Sequence, residues 1–309
     1  MSKLLTFEGH NHLRQRLVLA TLSGKPLRIN KIRSDDQDPG LRDHEANFLK
    51  LLEKVTNGST IEISYTGTSI LYKPGAVHGG RIEHDCGTDR SISYYLEPMI
   101  ALAPFSKKPF VLHLKGITTD HLDNSVDLIR TALLPQLKHY GVEENVELKI
   151  LKRGAPPLGG GEVVFNCCSV RQLKPVQFTD EGRIKRIRGI AYCTRVSPQT
   201  ANRLVDGKSP GFALSLVAES TTGALLAAEK AAEPGQTAED VGVLAAKLLL
   251  REISKGGCVD TASQWLNLLF MVLSPEDVCK IRIKPDEDTN TLEMTCVGVG
   301  YVNHNKKTT

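Results

Sequence analysis

The stretch Lys152-Arg153-Gly154-Ala155-Pro156-Pro157-Leu158-Gly159-Gly160-Gly161-Glu162-Val163 sets two basic side chains ahead of two prolines and three consecutive glycines. Such a run cannot be helix interior. Proline fixes the approach of the chain, and glycine admits positive φ and lets another backbone or a ligand come close. Two readings follow: a tight corner before a strand at Val163-Val164-Phe165, or a backbone-lined cradle for an anion. The corner is preferred, because glycine clusters punctuate a chain more often than they form sites.

Other residues able to do chemistry are unevenly spread. From Gly9 to Ser34 there are six Lys or Arg (Arg14, Arg16, Lys25, Arg28, Lys31, Arg33) and no acid, and Leu151 to Ile190 holds eight basic residues against three acidic ones, although the whole chain carries only +4. Acid-poor basic segments are what a phosphate backbone requires; a solvated charged face is the alternative for each. Aromatics make up 5% of the chain, which argues against a stacking platform for single strands. His10 and His12, two apart at a helix start, point to different sides, and His44 and His84 read as local hydrogen-bonding groups. The seven cysteines form no Cys-x-x-Cys pair and read as reduced core thiols, so no metal site and no cofactor are expected. With no bilayer-length apolar run and no signal pattern, a soluble intracellular protein without membrane contact is expected.

The elements that must position these residues recur. Leu13, Leu17, Ala20 and Thr21 suit a helix ended by Gly24-Lys25-Pro26, and Leu27 to Ile32 alternates as a strand. Phe48, Leu49, Leu52 and Val55 form a helical stripe stopped at Asn57-Gly58, followed by a hairpin from Ile61 to Tyr72 that turns at Thr66-Gly67. Leu19 to Leu27 resembles Leu102 to Phe110 at an offset of 83, which also relates Gly58 to Gly141 and Pro74 to Pro157. The second copy reads as a helix from Ser91 to Ala103, a strand from Phe110 to Leu114, a helix carrying Val126, Ile129, Leu133 and Leu137, and a strand at Val146, Leu148 and Ile150. A third copy has a helix with Trp265, Leu268, Leu269 and Val272 and a strand at Ile281-Arg282-Ile283. Between copies two and three, Arg186 to Tyr192, Phe212 to Ala218 and Ala224 to Ala228 read as strands, and Ser197-Pro198 as a helix start. Thr237 then opens a helix with Val241, Leu244 and Leu248, expected to return to the main body. The fold class is therefore α/β (α+β): residues 1–185 and 232–309 form a repeated body, and 186–231 a small inserted α/β domain.

Arg153-Gly154-x-x-Pro157-x-Gly159-Gly160-Gly161-x-Val163 resembles the signature of the RNA 3′-terminal phosphate cyclase family, with flanking matches at Arg14, Ile32-Arg33 and Pro39-Gly40-Leu41. The resemblance implies three repeats, each of two helices on a four-stranded sheet, with a small α/β insert before the third. True cyclases adenylate a histidine near the C-terminus; here the one histidine beyond His139 is His304, in a polar tail. Phe7-Glu8-Gly9-His10-Asn11-His12 replaces the cyclases' glycine-rich, Glu-containing segment, and Asp35-Asp36 stands where they carry a second arginine. These departures resemble the family's cyclase-like branch, as do Leu102 to Lys108, Thr194 to Pro198 and Ser209 to Phe212.

That branch implies an early pre-rRNA processing factor of the small subunit, located in the nucleolus, with pre-rRNA, a ribosome-assembly GTPase and the small-subunit pre-ribosomal particle as partners. The alternatives are an endoribonuclease cleaving pre-rRNA and, less favoured, an ATP-dependent RNA 3′-phosphate cyclase; no catalytic residue is assigned. Arg14, Arg33, Lys152, Arg153, Arg186 and Arg188 are the expected RNA- or anion-binding residues, with Arg183 and Lys185 beside them. The Arg-Asp-x-Lys helix near the C-terminus that the resemblance to this branch implies for RNA cleavage has no match in this chain. Lys284 runs straight into Pro285-Asp286-Glu287-Asp288, and Asp206-Gly207-Lys208 leaves no room for the insert's second helix. The sequence is therefore expected to join segments across omitted stretches near Asp206 and Lys284.

Overall fold

The computed structural model describes residues 3–194, 211–233, 235–283 and 292–304. The first unit runs β1 (Leu5–Glu8), α1 (Leu13–Ser23), β2 (Leu27–Asn30), α2 (Asp43–Val55), β3 (Thr56–Asn57), β4 (Thr60–Ile63) and β5 (Ile70–Lys73). Its sheet has the order β1-β2-β5-β4, with β1 parallel to β2 and the other pairs antiparallel. Helix α1 ends at Gly24, whose φ of 65° is the left-handed conformation that glycine adopts freely. The Glu45 side chain accepts from the Arg42 backbone N–H at 2.9 Å, satisfying a donor at the start of α2. Phe48, Leu49, Leu52 and Val55 then face the core, as their spacing predicts.

A short ladder of β3 with β6 (Ala76–Val77) leads into the second unit. This comprises β7 (Gly79–Asp85), α3 (Ile92–Leu102), β8 (Lys108–Gly116), α4 (Val126–Leu128), α5 (Leu134–Gln136), β9 (Glu147–Lys152) and β10 (Gly161–Cys167). Its sheet order, β7-β8-β10-β9, repeats that of the first unit, again with a parallel first pair. The single helix expected over Val126 to Leu137 is interrupted: a π-helical turn at Ile129–Leu133 separates α4 from α5 and a 3-10 turn follows at Leu137–Tyr140. Pro135 lacks an N–H and crowds the preceding turn, which accounts for the departure from regular α geometry. Gly58 and Gly141 both sit at positive φ, 80° and 77°, in agreement with the offset of 83. The Pro74–Pro157 match is corrected. Pro74 follows β5, whereas Pro157 lies inside the β9–β10 hairpin, the counterpart of the Thr66-Gly67 turn between β4 and β5.

Strand β11 (Gln177–Phe178) leads to the insert: β12 (Ile184–Thr194), β13 (Gly211–Ser220), β14 (Leu225–Ala231) and α6 (Ala238–Lys255). The three strands form one antiparallel meander. Helix α6 packs on β13 and β14 rather than returning to the body, and a small core of Ala218, Leu226, Ala228 and Leu249 joins them. Its buried stripe is Val241, Ala245 and Leu249, one step from the expected Leu244 and Leu248, so that a small alanine meets the sheet. The chain re-enters the body through α7 (Gln264–Leu273), β15 (Val278–Ile283) and β16 (Leu292–Val297). Helix α7 buries Leu266, Leu269, Phe270 and Leu273, with Phe270 edge-on to both Phe105 and Tyr140, whereas the expected Val272 is exposed. Among the described residues the third sheet has three strands, β11-β15-β16. The expected helix start at Ser197-Pro198 and the junctions at Asp206 and Lys284 lie outside the described residues. One continuous core runs from Leu13 through Tyr95, Phe110 and Phe165 to Ile283.

Candidate nucleic-acid interface

Arg14 and Arg33 come from different elements and meet the same neighbourhood, centred on Tyr94 of α3. The Arg14 guanidinium lies 4.1 Å over the Tyr94 ring, donates to the Tyr94 carbonyl at 2.7 Å and sits 3.6 Å from Glu97. Arg90 lies over the same ring at 4.6 Å and forks onto Asp123, with Nε donating at 2.8 Å. Arg33, held at φ 45°, donates from both terminal nitrogens to Glu45 at 2.7 and 2.8 Å. Each of the three guanidiniums therefore has its own carboxylate. Hydrogen bonding to Glu45 raises the Arg33 pKa. Burial pushes Glu45 up, but its bonds from Arg33 and the Arg42 N–H outweigh that and hold it below the usual carboxylate range. For Glu97 burial wins over Arg14, and its pKa is raised. Burial also pushes the Tyr94 hydroxyl up to about 12 and His44, edge-on to Tyr94 at 5.2 Å, below its usual value.

The glycine stretch folds onto itself. Gly154 lies so close to the following glycines that a Cβ there would fall 2.3 Å from the Gly161 nitrogen, and one on Gly161 would fall 2.5 Å from the Thr118 methyl. The Gly154 carbonyl accepts from the Thr118 N–H at 2.8 Å, and the Gly159 N–H donates to Ala155 at 3.0 Å. The Pro156–Pro157 bond is cis. The Gly154 and Gly159 N–H groups are spent on the Thr118 hydroxyl and the Ala155 carbonyl, which favours the corner reading of Gly154, Pro157, Gly159, Gly160 and Gly161.

Arg153 at its mouth donates to both oxygens of the buried Asp127, one bond measuring 2.9 Å, and lies 4.3 Å over the ring of Tyr192 in the insert. Burial works against the charged guanidinium, but Asp127 prevails and its pKa is raised. Lys152 pairs with Glu162 across the hairpin at 3.2 Å. Arg186 and Arg188 stand on the solvent side of β12, both bonded to the single carboxylate of Glu219, at 2.6 and 3.0 Å. Two guanidiniums against one carboxylate leave net positive charge on an exposed strand.

Sequence reasoning found the arginines but missed Arg90, Tyr94, Glu97, Asp123 and Asp127, whose roles depend on contacts from distant segments. The helix-start pattern at Ser125 could have pointed to Asp127. A cleft of about 970 Å³ opens between the glycine turn and the insert, with Asp120, His121, Pro157, Tyr192, Phe212 and Glu233 on its wall; its two carboxylates do not suit a phosphate. His304 is exposed and lines a separate groove with Thr21, Gly24 and Pro74. Among the described residues no group of three His, Cys, Asp or Glu could hold a metal ion, and no helix is long and apolar enough to cross a membrane.

The family model described as RNA 3′-terminal phosphate cyclase matches residues 5–296. The chain belongs to the RNA 3′-terminal phosphate cyclase family. It is 52% identical to the RNA 3′-terminal phosphate cyclase-like protein of Homo sapiens, over 91% of this chain and 84% of that one. It is 44% identical to the rRNA processing protein rcl1 of Schizosaccharomyces pombe, over 99% of this chain and 98% of the relative. With a probable cyclase-like protein of Dictyostelium discoideum the identity is 44%, over 99% of this chain and 100% of the relative. That last alignment runs over 370 positions although this chain has 309 residues, so whole stretches of this family member have no counterpart here.

Proposed function

We propose that this chain acts in rRNA processing as a cyclase-fold protein that binds pre-rRNA and carries out no adenylation. The observation behind this reading is the state of the arginine cluster: Arg14, Arg33 and Arg90 are each committed to a carboxylate, and Arg14 and Arg90 also lie over the Tyr94 ring, which leaves none of the three free to hold a phosphate. A cluster so neutralised positions the first two units against each other. Net positive charge remains on β12, where Arg186 and Arg188 share the one carboxylate of Glu219 with Arg183 and Lys185 beside them, and this strand is the proposed RNA contact. Arg14, Arg33 and Arg153 then act by holding the surfaces that carry the contact, and Lys152 by its place at the hairpin edge.

The relatives named for rRNA processing support the pathway. By kinship the proposal extends to the small-subunit pre-ribosomal particle, a ribosome-assembly GTPase partner and a nucleolar site of action. Incubation with labelled ATP tests the non-cyclase half of the reading. No covalent label is expected on the protein; a stable nucleotidyl adduct on His304 or any other residue would overturn it.

A further inference from the structure

The joint between body and insert carries the same charge pattern on its two sides. On the insert, Arg186 and Arg188 of β12 share the carboxylate of Glu219. On the body, Arg130 and Arg153 share that of Asp127, Arg153 through both oxygens and Arg130 through one of them at 3.4 Å. The inner members of the body group are hidden, with the Arg153 side chain 13% and that of Asp127 1% exposed. Arg130, at 39%, is the member that solvent meets. Register brings the two groups to one place. From Arg186 onward β12 alternates regularly, so Arg186, Arg188, Ile190 and Tyr192 share a face. Tyr192 receives Arg153. Arg188 pairs with Val217 of β13, and Val217 clusters with Leu128 and Ala132, the residues two before and two after Arg130. Neighbouring strands lie about 4.8 Å apart, so Arg188 stands one strand beyond the contact made by the helical segment that carries Arg130. At the arginine end of this face the side chains are open to solvent. Both groups are complete within the described residues, and residues 195–210 follow Thr194, at the opposite end of β12 from Arg186.

We propose that Arg130 is a further RNA-binding residue, and that an RNA backbone crosses the joint from Arg186 and Arg188 of the insert to Arg130 of the body. This rests on the reading of β12 as the RNA contact. A phosphate is drawn to an exposed cation that the protein has not already neutralised. Arg130 fits that need, because it reaches only the Asp127 oxygen that Arg153 holds more closely, at 2.9 Å. Its planar fork can leave that oxygen and pair with two phosphate oxygens instead. The positive charge does not continue past Arg130. The groove beyond it, about 720 Å³ along β9, sets Lys138 and Lys149 against Glu143 and Glu147. The contact is therefore a narrow crossing between insert and body.

Binding of a single-stranded pre-rRNA fragment over a range of salt concentrations tests this, with the wild type, Arg130→Ala, Arg130→Lys and Arg186→Ala/Arg188→Ala. Arg130→Ala is expected to bind more weakly, with a slope of log K against log salt shallower by about 0.7, the share of one phosphate contact to a single strand. Arg130→Lys keeps the charge and should keep the slope. Arg153 still holds Asp127 in both variants, so their thermal transitions should match that of the wild type. A slope reduced in Arg186→Ala/Arg188→Ala but not in Arg130→Ala would overturn the inference and leave the β12 contact standing. A slope unchanged in both would overturn the two together. A slope lost equally in Arg130→Ala and Arg130→Lys would mark Arg130 as a purely structural residue and would also overturn the inference.

Discussion

Arg153 of the body lies 4.3 Å over the ring of Tyr192 in the insert, held there by the buried carboxylate of Asp127. The signature's Arg153 thus bridges the body and the insert. The glycine turn aims Arg153, Asp127 fixes it, and Tyr192 receives it from the other part of the chain. Removing one partner of a buried ion pair leaves the other uncompensated, so Asp127→Asn and Arg153→Met should each cost about 3 kcal/mol of unfolding free energy. Tyr192→Leu keeps the apolar area but loses the ring and should cost only about 1 kcal/mol. Denaturant titration of the three variants checks the order.

Gly154 and Gly161 have no room for a side chain. Gly154→Ala should destabilise by more than about 2 kcal/mol, because a Cβ 2.3 Å from a backbone nitrogen forces the hairpin apart. Gly242→Ala, whose Cβ would meet open space on helix α6, should instead be neutral or slightly stabilising. Thermal melts of the two variants side by side make the comparison.

The insert also reaches the body through Glu229 of β14, which accepts from the Ser125 backbone N–H at 2.6 Å and from the Ser125 hydroxyl. Burial, only partly offset by these bonds, raises the Glu229 pKa to about 7. A carboxyl whose folded pKa is raised contributes stability that is full below its unfolded value and is lost as pH rises through the folded one. Stability should therefore fall between about pH 4.5 and 7 through this group, and Glu229→Gln should flatten that part of the profile. Glu45 works in the opposite sense: its folded pKa is lowered, so its contribution is present above the ordinary glutamate range and lost as acid protonates it. Urea titrations at several pH values, with Glu229→Gln and Glu45→Gln, separate the two.

Much of the architecture was legible in the sequence because its signals are local. The glycine at the end of α1, the Thr66-Gly67 hairpin and the stripe from Phe48 to Val55 each declare themselves within a dozen residues. The glycine stretch was readable as a corner on the same ground. The state of the arginines was not, because it is set by long-range partners: Arg14 donates to Tyr94, eighty positions away, and Arg153 meets Tyr192 across the join of body and insert. The placement of α6 was missed for a related reason. Its stripe shows that it is amphipathic but not which sheet lies beneath it, and Ala245 is buried on the face that packs on β13 and β14.

The account stands on RNA contact through β12, and the salt dependence of binding tests that most directly. A pre-rRNA fragment should be titrated against wild type and Arg186→Ala/Arg188→Ala from low to moderate salt, with log K plotted against log salt concentration. Each phosphate contact to a single strand contributes about 0.7 to the slope, so the double variant should bind more weakly with a slope shallower by about 1.4. Equal affinity and an equal slope in the two proteins would contradict the account.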